Sequence, residues 1–372
     1  MTAALFTAED EFFMSRALFL GGRNRTGASP NPSVGCVVVN DGKIVGEGAT
    51  AAGGRPHAEF IAINNAGFLA NGATLYVTLE PCCHSGRGIS CVDAIIQAGI
   101  KKVIAATEDL DSRVGGAGLK KLAELGIDAR KGLRKEQADI EHEAFFKRVT
   151  SGLPFITVNL GMTLDNKIAT LSSANKLIPF DAMRQHMRHS LVEMDAVLID
   201  GCEHFSDILI LILQEIPINR RPAFVILAPE CGLIHDSFLV PSGDKFKNFL
   251  LHEDVKNPFK LQHFINNRVF LLNYNISRNG DLRAALHELV KLGFNNVLCG
   301  GGTRLADLLL KGRLVDRLRI FSSGKNIGQP KLTGHDSDNI LDLLNGSYLR
   351  LDSIETVRAN FIQTWERINE RL

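Results

Sequence analysis

The stretch TLYVTLEPCCH, residues 74–84, is the part of the sequence that decides the fold. Its first six residues, 74–79, are largely apolar or β-branched and predict a buried strand. A helix begins near His57 upstream of this strand, and a second helix begins at about Cys91 and extends to about Ala98. The sequence therefore brings chemically active side chains to the end of one strand and to the beginnings of two helices.

Strands and helices continue to alternate on both sides of this stretch, which is typical of α/β layer domains. In the N-terminal part we expect the following: a helix over 9–20, strands over 34–39 and 44–45 joined at Asp41-Gly42, a loop containing Gly46, Gly48, Gly53 and Gly54, a strand over 103–106, and helices over 119–125 and 141–150. New strands follow over 155–160, 196–199, 224–227 and 296–298. Because 372 residues exceed one typical core, we predict two α/β domains, 1–148 and 149–372.

The side chains of His57, Cys82 and Cys91 form a set of metal ligands. Thiolates near helix N-termini have lowered pKa values and bind metal readily. One His and two Cys leave the fourth position of a zinc ion open for water, as in catalytic sites. Glu59 follows His57 by two residues and is predicted to be the proton shuttle. His-x-Glu followed by Pro-Cys and a further Cys is the signature of zinc deaminases.

Simpler interpretations exist for each of these residues. A lone His-x-Glu is common, and an isolated Cys is more often a small buried apolar residue. A structural zinc site would have four protein ligands, and Cys83 or His84 could supply the fourth. A structural site, however, has no use for Glu59. The order and spacing of the four residues together favour the deaminase.

The composition of the chain narrows the class of partner. Lys plus Arg number 42 and Asp plus Glu number 41, so no basic excess indicates nucleic-acid binding. Seven scattered Cys residues do not indicate a disulfide framework, and the most apolar run, 208–213, is too short to cross a bilayer. We expect a cytoplasmic protein with a small-molecule substrate, with neither nucleic acid nor membrane as partner, and a homo-oligomeric assembly.

Several short motifs give the chain a specific resemblance. They are, in order, Pro30-Asn31-Pro32, Val34-Gly35-Cys36, Gly46-Glu47-Gly48, Pro56-His57-Ala58-Glu59, Tyr76 to Cys82, His84, Gly86-Arg87, Cys91, and Asp109 with Val114, Gly116 and Gly118. With these motifs the chain resembles the bifunctional riboflavin-biosynthesis proteins, in which a pyrimidine deaminase is fused to a pyrimidine reductase. The eight residues between Cys82 and Cys91 (83–90) are also typical of that family.

The resemblance implies a fold and a substrate. The fold is a cytidine-deaminase-like three-layer α/β/α domain followed by a dihydrofolate-reductase-like α/β domain. The substrate of the deaminase is 2,5-diamino-6-ribosylamino-4(3H)-pyrimidinone 5′-phosphate, and the product is the corresponding 5-amino-6-ribosylamino-uracil phosphate. By resemblance Asn31 and Asp109 line the base and sugar pocket, and His84 and Arg87 lie beside the ring or the phosphate. Ser29 and Thr50 replace histidines that the family usually has, and Gly88-Ile89-Ser90 replaces Thr-Pro-Pro.

The second half departs further from the family. Asn166-Lys167, Asn175 to Pro179 and Asp207 to Leu209 replace its usual motifs. Two arginines that would hold the substrate phosphate align with Leu191 and Leu213, and an acidic residue aligns with Gly300. Gly300 to Thr303, between a strand and a helix, could hold a phosphate or form a simple turn. We therefore expect a degenerate reductase half in which NADPH binding is in doubt.

Four functional hypotheses follow from the sequence. The first is a zinc-dependent deaminase with a degenerate reductase-like domain, and the second is a fully bifunctional deaminase and NADPH-dependent reductase. The third is a nucleic-acid base deaminase, which the balanced charge and the long gap between the cysteines disfavour. The fourth is a non-catalytic zinc-binding scaffold, which a zinc assay combined with ammonia release separates from the other three.

Overall fold

A computed structural model describes residues 6–84, 88–162, 168–169, 180–201, 207–228, 246–253, 261–274, 282–300, 303–322, 348–357 and 360–368. The chain divides into two compact units, Met1–Gly152 and Leu153–Leu372. Each unit is an α/β structure built around its own sheet. Within the described residues, no helix combines the length and the apolar character needed to span a bilayer.

The N-terminal unit contains five strands and six α-helices among its described residues. They are α1 (Ala8–Gly22), α2 (Arg25–Ala28), β1 (Gly35–Asn40), β2 (Lys43–Ala49), α3 (Ala58–Ala66), β3 (Thr74–Leu79), α4 (Cys91–Gln97), β4 (Lys102–Thr107), α5 (Ala117–Glu124), β5 (Asp128–Lys131) and α6 (Lys135–Ser151). The predicted strand over 74–79 is confirmed at both ends. The predicted helices are confirmed to within a few residues, except that α6 begins six residues before the predicted 141.

These strands form one sheet in the order β2-β1-β3-β4-β5. β1 is antiparallel to both β2 and β3, whereas β3, β4 and β5 are parallel. Alternate residues of β1 face opposite layers, so Val37 and Val39 pack with residues of α1 while Cys36 and Val38 pack with residues of α3 and α4. The sheet therefore lies between two helical layers, as expected. The chain after the carboxyl end of β3 lies next to the starts of α3 and α4.

The expected loop at Gly46 and Gly48 was wrong, because both glycines lie inside β2. Helix α3 packs so closely on this strand that a Cβ at Gly46 would lie 2.1 Å from the carbonyl oxygen of Ala62. A Cβ at Gly48 would lie 2.3 Å from the carbonyl oxygen of Ala58. These glycines therefore permit a close approach of helix to strand, which glycine in a strand can indicate as well as a loop.

The C-terminal unit contains ten strands and five α-helices among its described residues. They are β6 (Phe155–Met162), β7 (Ile168–Ala169), α7 (Phe180–Val192), β8 (Ala196–Asp200), α8 (Asp207–Gln214), β9 (Ala223–Leu227), β10 (Asn248–His252), α9 (Gln262–Asn266), β11 (Phe270–Asn273), α10 (Arg283–Lys291), β12 (Asn296–Cys299), α11 (Thr303–Lys311), β13 (Arg317–Ser322), β14 (Leu349–Val357) and β15 (Asn360–Arg367). The four strands predicted here correspond to β6, β8, β9 and β12.

The ten strands form one sheet in the order β11-β10-β9-β8-β12-β6-β13-β15-β14, with β7 beside β6. The strands from β11 to β13 along this order are parallel, and β15 and β14 add an antiparallel edge. Residues of α10 and α11 cover one face, and residues of α7, α8 and α9 cover the other. Both faces are therefore buried, as expected for a largely parallel sheet.

Candidate active site

Three predicted ligands, His57, Cys82 and Cys91, meet at the carboxyl end of β3. The Nδ1 atom of His57 lies 3.1 Å from Sγ of Cys91 and 3.6 Å from Sγ of Cys82. The two Sγ atoms are 3.4 Å apart, and neither cysteine is in a disulfide. Residues separated by 34 positions in the chain thus place three ligand atoms within 4.8 Å of one another.

Local structure fixes each of these ligands. His57 is the residue that precedes α3, and Cys91 is the first residue of α4. Ser90 caps α4, because its hydroxyl accepts a hydrogen bond of 3.1 Å from the backbone N–H of Asp93. The carbonyl of Cys82 accepts a bond of 3.2 Å from the N–H of Val92, which ties the end of β3 to the start of α4.

The thiols of Cys82 and Cys91 are strongly coupled. Hydrogen bonding from Cys91 and from His57 lowers the pKa of Cys82 to about 4. The same contact with Cys82, together with burial, raises the pKa of Cys91. One thiolate is thus favoured without metal, and a divalent ion would favour the second thiolate as well. Two soft sulfur donors and one imidazole nitrogen fit zinc, with one coordination position left over.

Glu59 lies against this cluster in the first turn of α3. Its side chain is buried, with 3% of its surface exposed. Burial raises the pKa of Glu59, and the charge of His57 and a hydrogen bond with Cys91 lower it in part. A carboxyl group with a raised pKa beside a metal site is suited to take up a proton and to pass it on.

A pocket opens beside the cluster and is lined by His57, Glu59 and Cys82. Asn31, His84 and Asp109, which the resemblance assigns to the substrate, also line this pocket. Arg87 lies outside the described residues.

His84 is partly buried and Asp109 is buried. Nδ1 of His84 is buried without a hydrogen-bond partner, so it is available to a ligand. Burial raises the pKa of Asp109 to about 6, and its carboxylate accepts a bond of 2.8 Å from the N–H of Asp111. Cys83 packs against the apolar core instead. In the part of the chain that the structure describes, neither Cys83 nor His84 belongs to the ligand cluster.

Sequence reasoning missed the role of Glu80 in this pocket. Its buried carboxylate accepts backbone N–H bonds from Asp109, Gly116, Gly118 and Leu119 at 2.9–3.2 Å. Four charge-assisted bonds fix the loop that carries Asp109 beside the strand that carries Cys82. The only signal for Glu80 in the sequence is its position directly before Pro81-Cys82. The residues around that motif do not indicate which loop Glu80 binds.

Three arginines that the sequence analysis did not single out also line the pocket. They are Arg55, Arg113 and Arg148. Arg55 and Arg113 lie close in sequence to motif residues, whereas Arg148 lies near the end of α6. Thr50, which replaces a family histidine, lines the pocket too. Its hydroxyl accepts a hydrogen bond of 2.9 Å from the backbone N–H of Val34, so this hydroxyl stabilises the backbone next to the pocket.

The C-terminal unit lacks charged side chains at three positions for which the resemblance implies them, Leu191, Leu213 and Gly300. Leu191 and Leu213 are fully buried in one apolar cluster that also contains Leu209. A Cβ added at Gly300 would lie 2.3 Å from Cγ1 of Val197 and 2.8 Å from Cδ2 of Leu209. The position therefore has no room for an acidic side chain. These described residues do not fit the charged groups of a sugar phosphate.

Three buried polar atoms without hydrogen-bond partners lie on β6 of the same sheet. Asn159 of β6 is buried, and neither its amide oxygen nor its amide nitrogen has a hydrogen-bond partner. Oγ1 of Thr157, two residues earlier, also has none. Unpartnered buried polar groups fit a polar ligand such as a nicotinamide. Thr303 begins α11, as predicted, and Gly301 and Gly302 lie outside the described residues.

Two family profiles match the chain, one for each unit. The cytidine and deoxycytidylate deaminase zinc-binding region matches residues 7–107, and the RibD C-terminal domain matches residues 154–361. The first supports a zinc-dependent deaminase in the N-terminal unit. The second identifies a reductase domain in the C-terminal unit and implies NADPH as its cofactor.

Similar proteins cover nearly the whole chain. Riboflavin biosynthesis protein RibD of Aquifex aeolicus is 34% identical over 86% of this chain and 88% of its own, and that of Escherichia coli is 33% identical over 90% and 91%. The structure of Acinetobacter baumannii RibD matches with a TM-score of 0.77 at 26% identity, covering 96% of this chain and 99% of that one. A Thermotoga maritima diaminohydroxyphosphoribosylaminopyrimidine deaminase/5-amino-6-(5-phosphoribosylamino)uracil reductase matches at 0.76 and 28%, with the same coverage.

These matches agree with the geometry of the site and with the fold of both units. The expected deaminase fold, the reductase-like second domain and the zinc dependence are confirmed. The chain belongs to the RibD family, as a zinc-dependent deaminase of riboflavin biosynthesis that also carries the family's reductase domain.

Proposed function

We propose that the N-terminal unit deaminates 2,5-diamino-6-ribosylamino-4(3H)-pyrimidinone 5′-phosphate to 5-amino-6-ribosylamino-uracil 5′-phosphate. The observation that carries this proposal is the convergence of His57, Cys82 and Cys91 beside a buried Glu59, at one end of an open pocket. The Thermotoga maritima relative, a diaminohydroxyphosphoribosylaminopyrimidine deaminase, supports the same substrate.

In this proposal His57, Cys82 and Cys91 hold the zinc ion, and Glu59 moves the protons. Zinc, when bound, lowers the pKa of a water molecule towards neutrality. Glu59 takes a proton from the attacking water and delivers it to the departing amino group. The exocyclic carbon–nitrogen bond breaks, a carbonyl replaces it, and ammonia leaves. By resemblance we assign Asn31 and Asp109 to the base and the sugar, and His84 and Arg87 to the ring or the phosphate.

The direct test is to incubate the purified protein with the diaminopyrimidine phosphate, with and without NADPH, and to identify the products by mass. Conversion of the amino group to a carbonyl with release of ammonia is the expected result. A protein that holds zinc but leaves this compound unchanged would contradict the proposal. Deamination of single-stranded nucleic acid instead would favour the nucleic-acid deaminase. A zinc-bound protein that deaminates none of these compounds would favour the zinc scaffold.

Replacing Gly54 with alanine is expected to weaken substrate binding. Gly54 has a φ of +82°, and a Cβ there would lie 2.0 Å from Nδ2 of Asn31. Alanine therefore introduces left-handed strain of about 1–2 kcal/mol and also pushes Asn31 from its place. Loss of one neutral hydrogen bond from Asn31 would raise KM by up to about tenfold. Steady-state kinetics and denaturant unfolding measure the two effects.

Gly53 provides the matched control for this substitution. Its φ is +74°, but nothing lies within 4 Å of a Cβ added there. Gly53→Ala should lose a similar amount of stability and keep its KM. If both variants raise KM equally, backbone strain explains the effect and the placement of Asn31 by Gly54 is wrong.

The C-terminal unit is expected to reduce the deaminated product poorly or not at all. A ribose phosphate carries close to two negative charges, and Leu191 and Leu213 offer no positive partner. Losing two charged hydrogen-bond partners at about 1.5–3 kcal/mol each weakens binding by roughly two to four decades. The measurement is NADPH oxidation after addition of the deaminated intermediate. Steady turnover of about one per second, comparable with ordinary enzymes, would instead identify a working bifunctional enzyme.

We further propose that the protein works in the cytoplasm as a homo-oligomer. Light scattering on the purified protein measures its mass directly. A mass of one chain at micromolar concentration would contradict the second part of this proposal.

A further inference from the structure

Arg148 is a cation in the deaminase pocket whose charge has no assigned use. It lies on α6 and lines the pocket together with Glu59 and Asp109. Its Nη2 donates a bond of 2.9 Å to the backbone carbonyl of Pro30. Its Nε is buried and has no hydrogen-bond partner. The centre of its guanidinium lies 5.3 Å from the centroid of the Phe145 ring, within the range of a cation–π contact.

Asp111, the carboxylate with the largest electrostatic effect on Arg148, is already engaged by a different arginine. Asp111 accepts bonds of 2.9 and 3.0 Å from Nε of Arg113, and a further bond from its Nη2. The Arg113 side chain is 70% exposed, whereas the Asp111 side chain is 9% exposed. This pair neutralises itself at the rim of the pocket. Burial lowers the pKa of Arg148, and Asp111 only partly offsets that effect.

The contact with Pro30 does not account for this arrangement. One hydrogen bond to a neutral carbonyl can be made by any donor and does not require a permanent charge. A buried Nε–H without an acceptor costs free energy unless an anion or another acceptor meets it. Because the unpartnered group lines the same pocket as the ligand cluster, the missing acceptor is a part of whatever binds there.

We infer that Arg148 binds the phosphate of the deaminase substrate and that it discriminates between a ribosyl phosphate and the same compound without phosphate. The planar guanidinium presents paired N–H groups, which match two oxygens of a phosphate. The identity of the pyrimidine in this assignment rests on the proposed function. The binding of an anion by Arg148 does not depend on it. It adds a specificity-determining residue at a position remote in sequence from the zinc motifs.

The experiment compares the diaminopyrimidine ribosyl phosphate with its dephosphorylated riboside in wild type, Arg148→Met and Arg148→Lys. Arg148→Met should raise KM for the phosphate about 10- to 100-fold, with a smaller change in kcat and unchanged zinc content. The riboside should react equally well with wild type and variant. Arg148→Lys should recover part of the loss, since it keeps the charge but not the fork. Arg130→Met, on β5 outside the pocket, is the matched control and should resemble wild type.

Equal losses for phosphate and riboside would overturn the inference, because they would identify a structural role through Pro30. An unchanged KM for the phosphate would overturn it as well. Calorimetric binding of ribose 5-phosphate gives a readout that needs no turnover: wild type should bind it and Arg148→Met should bind it at least about tenfold more weakly. If wild type binds ribose 5-phosphate but deaminates neither pyrimidine, the proposed function fails while the anion site stands. Equal binding by wild type and variant, or none by either, overturns the anion site.

Discussion

Replacing Cys82 with serine is expected to remove most of the zinc and all of the deaminase activity. Sγ of Cys82 lies 3.4 Å from Sγ of Cys91 and 3.6 Å from Nδ1 of His57, so the three atoms surround one position. A serine hydroxyl is smaller and stays protonated at neutral pH, whereas the pKa of Cys82 is lowered to about 4. Zinc depends on thiolate donors in such sites. Zinc per chain and ammonia release, measured on the same preparation, test this expectation.

Cys83 supplies the matched control, because it is the adjacent residue and carries the same side chain. It packs against the apolar core of the N-terminal unit rather than joining the ligand cluster. Cys83→Ser should therefore keep about one zinc per chain and most of the activity, with a modest loss of stability from placing a hydroxyl against apolar side chains. Full zinc retention in Cys82→Ser would contradict the ligand assignment. Equal zinc loss in both variants would show that serine disturbs the loop rather than the coordination.

The chemistry of the site could be predicted from the sequence because its parts obey local rules. His57 and Cys91 lie at helix starts, and Cys82 follows a strand that an apolar run with a following proline defines. Helix capping, strand termination and ligand spacing are properties of a few neighbouring residues. The parallel strands β3 and β4 and their helices then bring these positions to one edge of the sheet.

The environment of the site could not be predicted, because it depends on contacts between distant parts of the chain. Glu80 holds a loop about 30–40 residues away through backbone N–H groups, which carry no side-chain signal. Arg148 reaches Pro30, which precedes it by 118 positions. The local sequence predicts a loop at Gly46, because glycine is common in loops. The packing of α3 on β2, which requires glycine at this position, depends on residues elsewhere in the chain.

The C-terminal unit shows how a fold and its site can diverge. Its buried strands and amphipathic helices preserve the sheet, which needs only apolar residues at the right period. Leu191 and Leu213 satisfy that requirement better than charged residues would, so they stabilise the packing of α7 and α8. Resemblance therefore predicts the architecture of this unit more securely than its reaction, which depends on a few charged positions.

Replacing Glu59 with glutamine is expected to abolish ammonia release while zinc and fold are kept. The amide has nearly the same shape as the carboxyl group, so the buried position beside Cys91 stays filled. It cannot accept a proton from water or deliver one to the amine. General acid–base groups contribute 10²–10⁴-fold, about 3–5 kcal/mol, and Glu59 handles more than one transfer. The loss in kcat should thus lie at the upper end of that range or beyond it.

Single-turnover ammonia release, zinc content and thermal unfolding should be measured on Glu59→Gln together with Glu124→Gln. Glu124 ends α5 with its side chain 64% exposed, so its amide variant should match wild type in all three measurements. Burial raises the pKa of Glu59, which favours the protonated carboxyl group that delivers a proton to the amine. Near-normal turnover in Glu59→Gln would show that another group moves the proton. Loss of zinc from Glu59→Gln would show instead that the carboxylate supports the ligand cluster, and the decrease in activity would then follow from the metal.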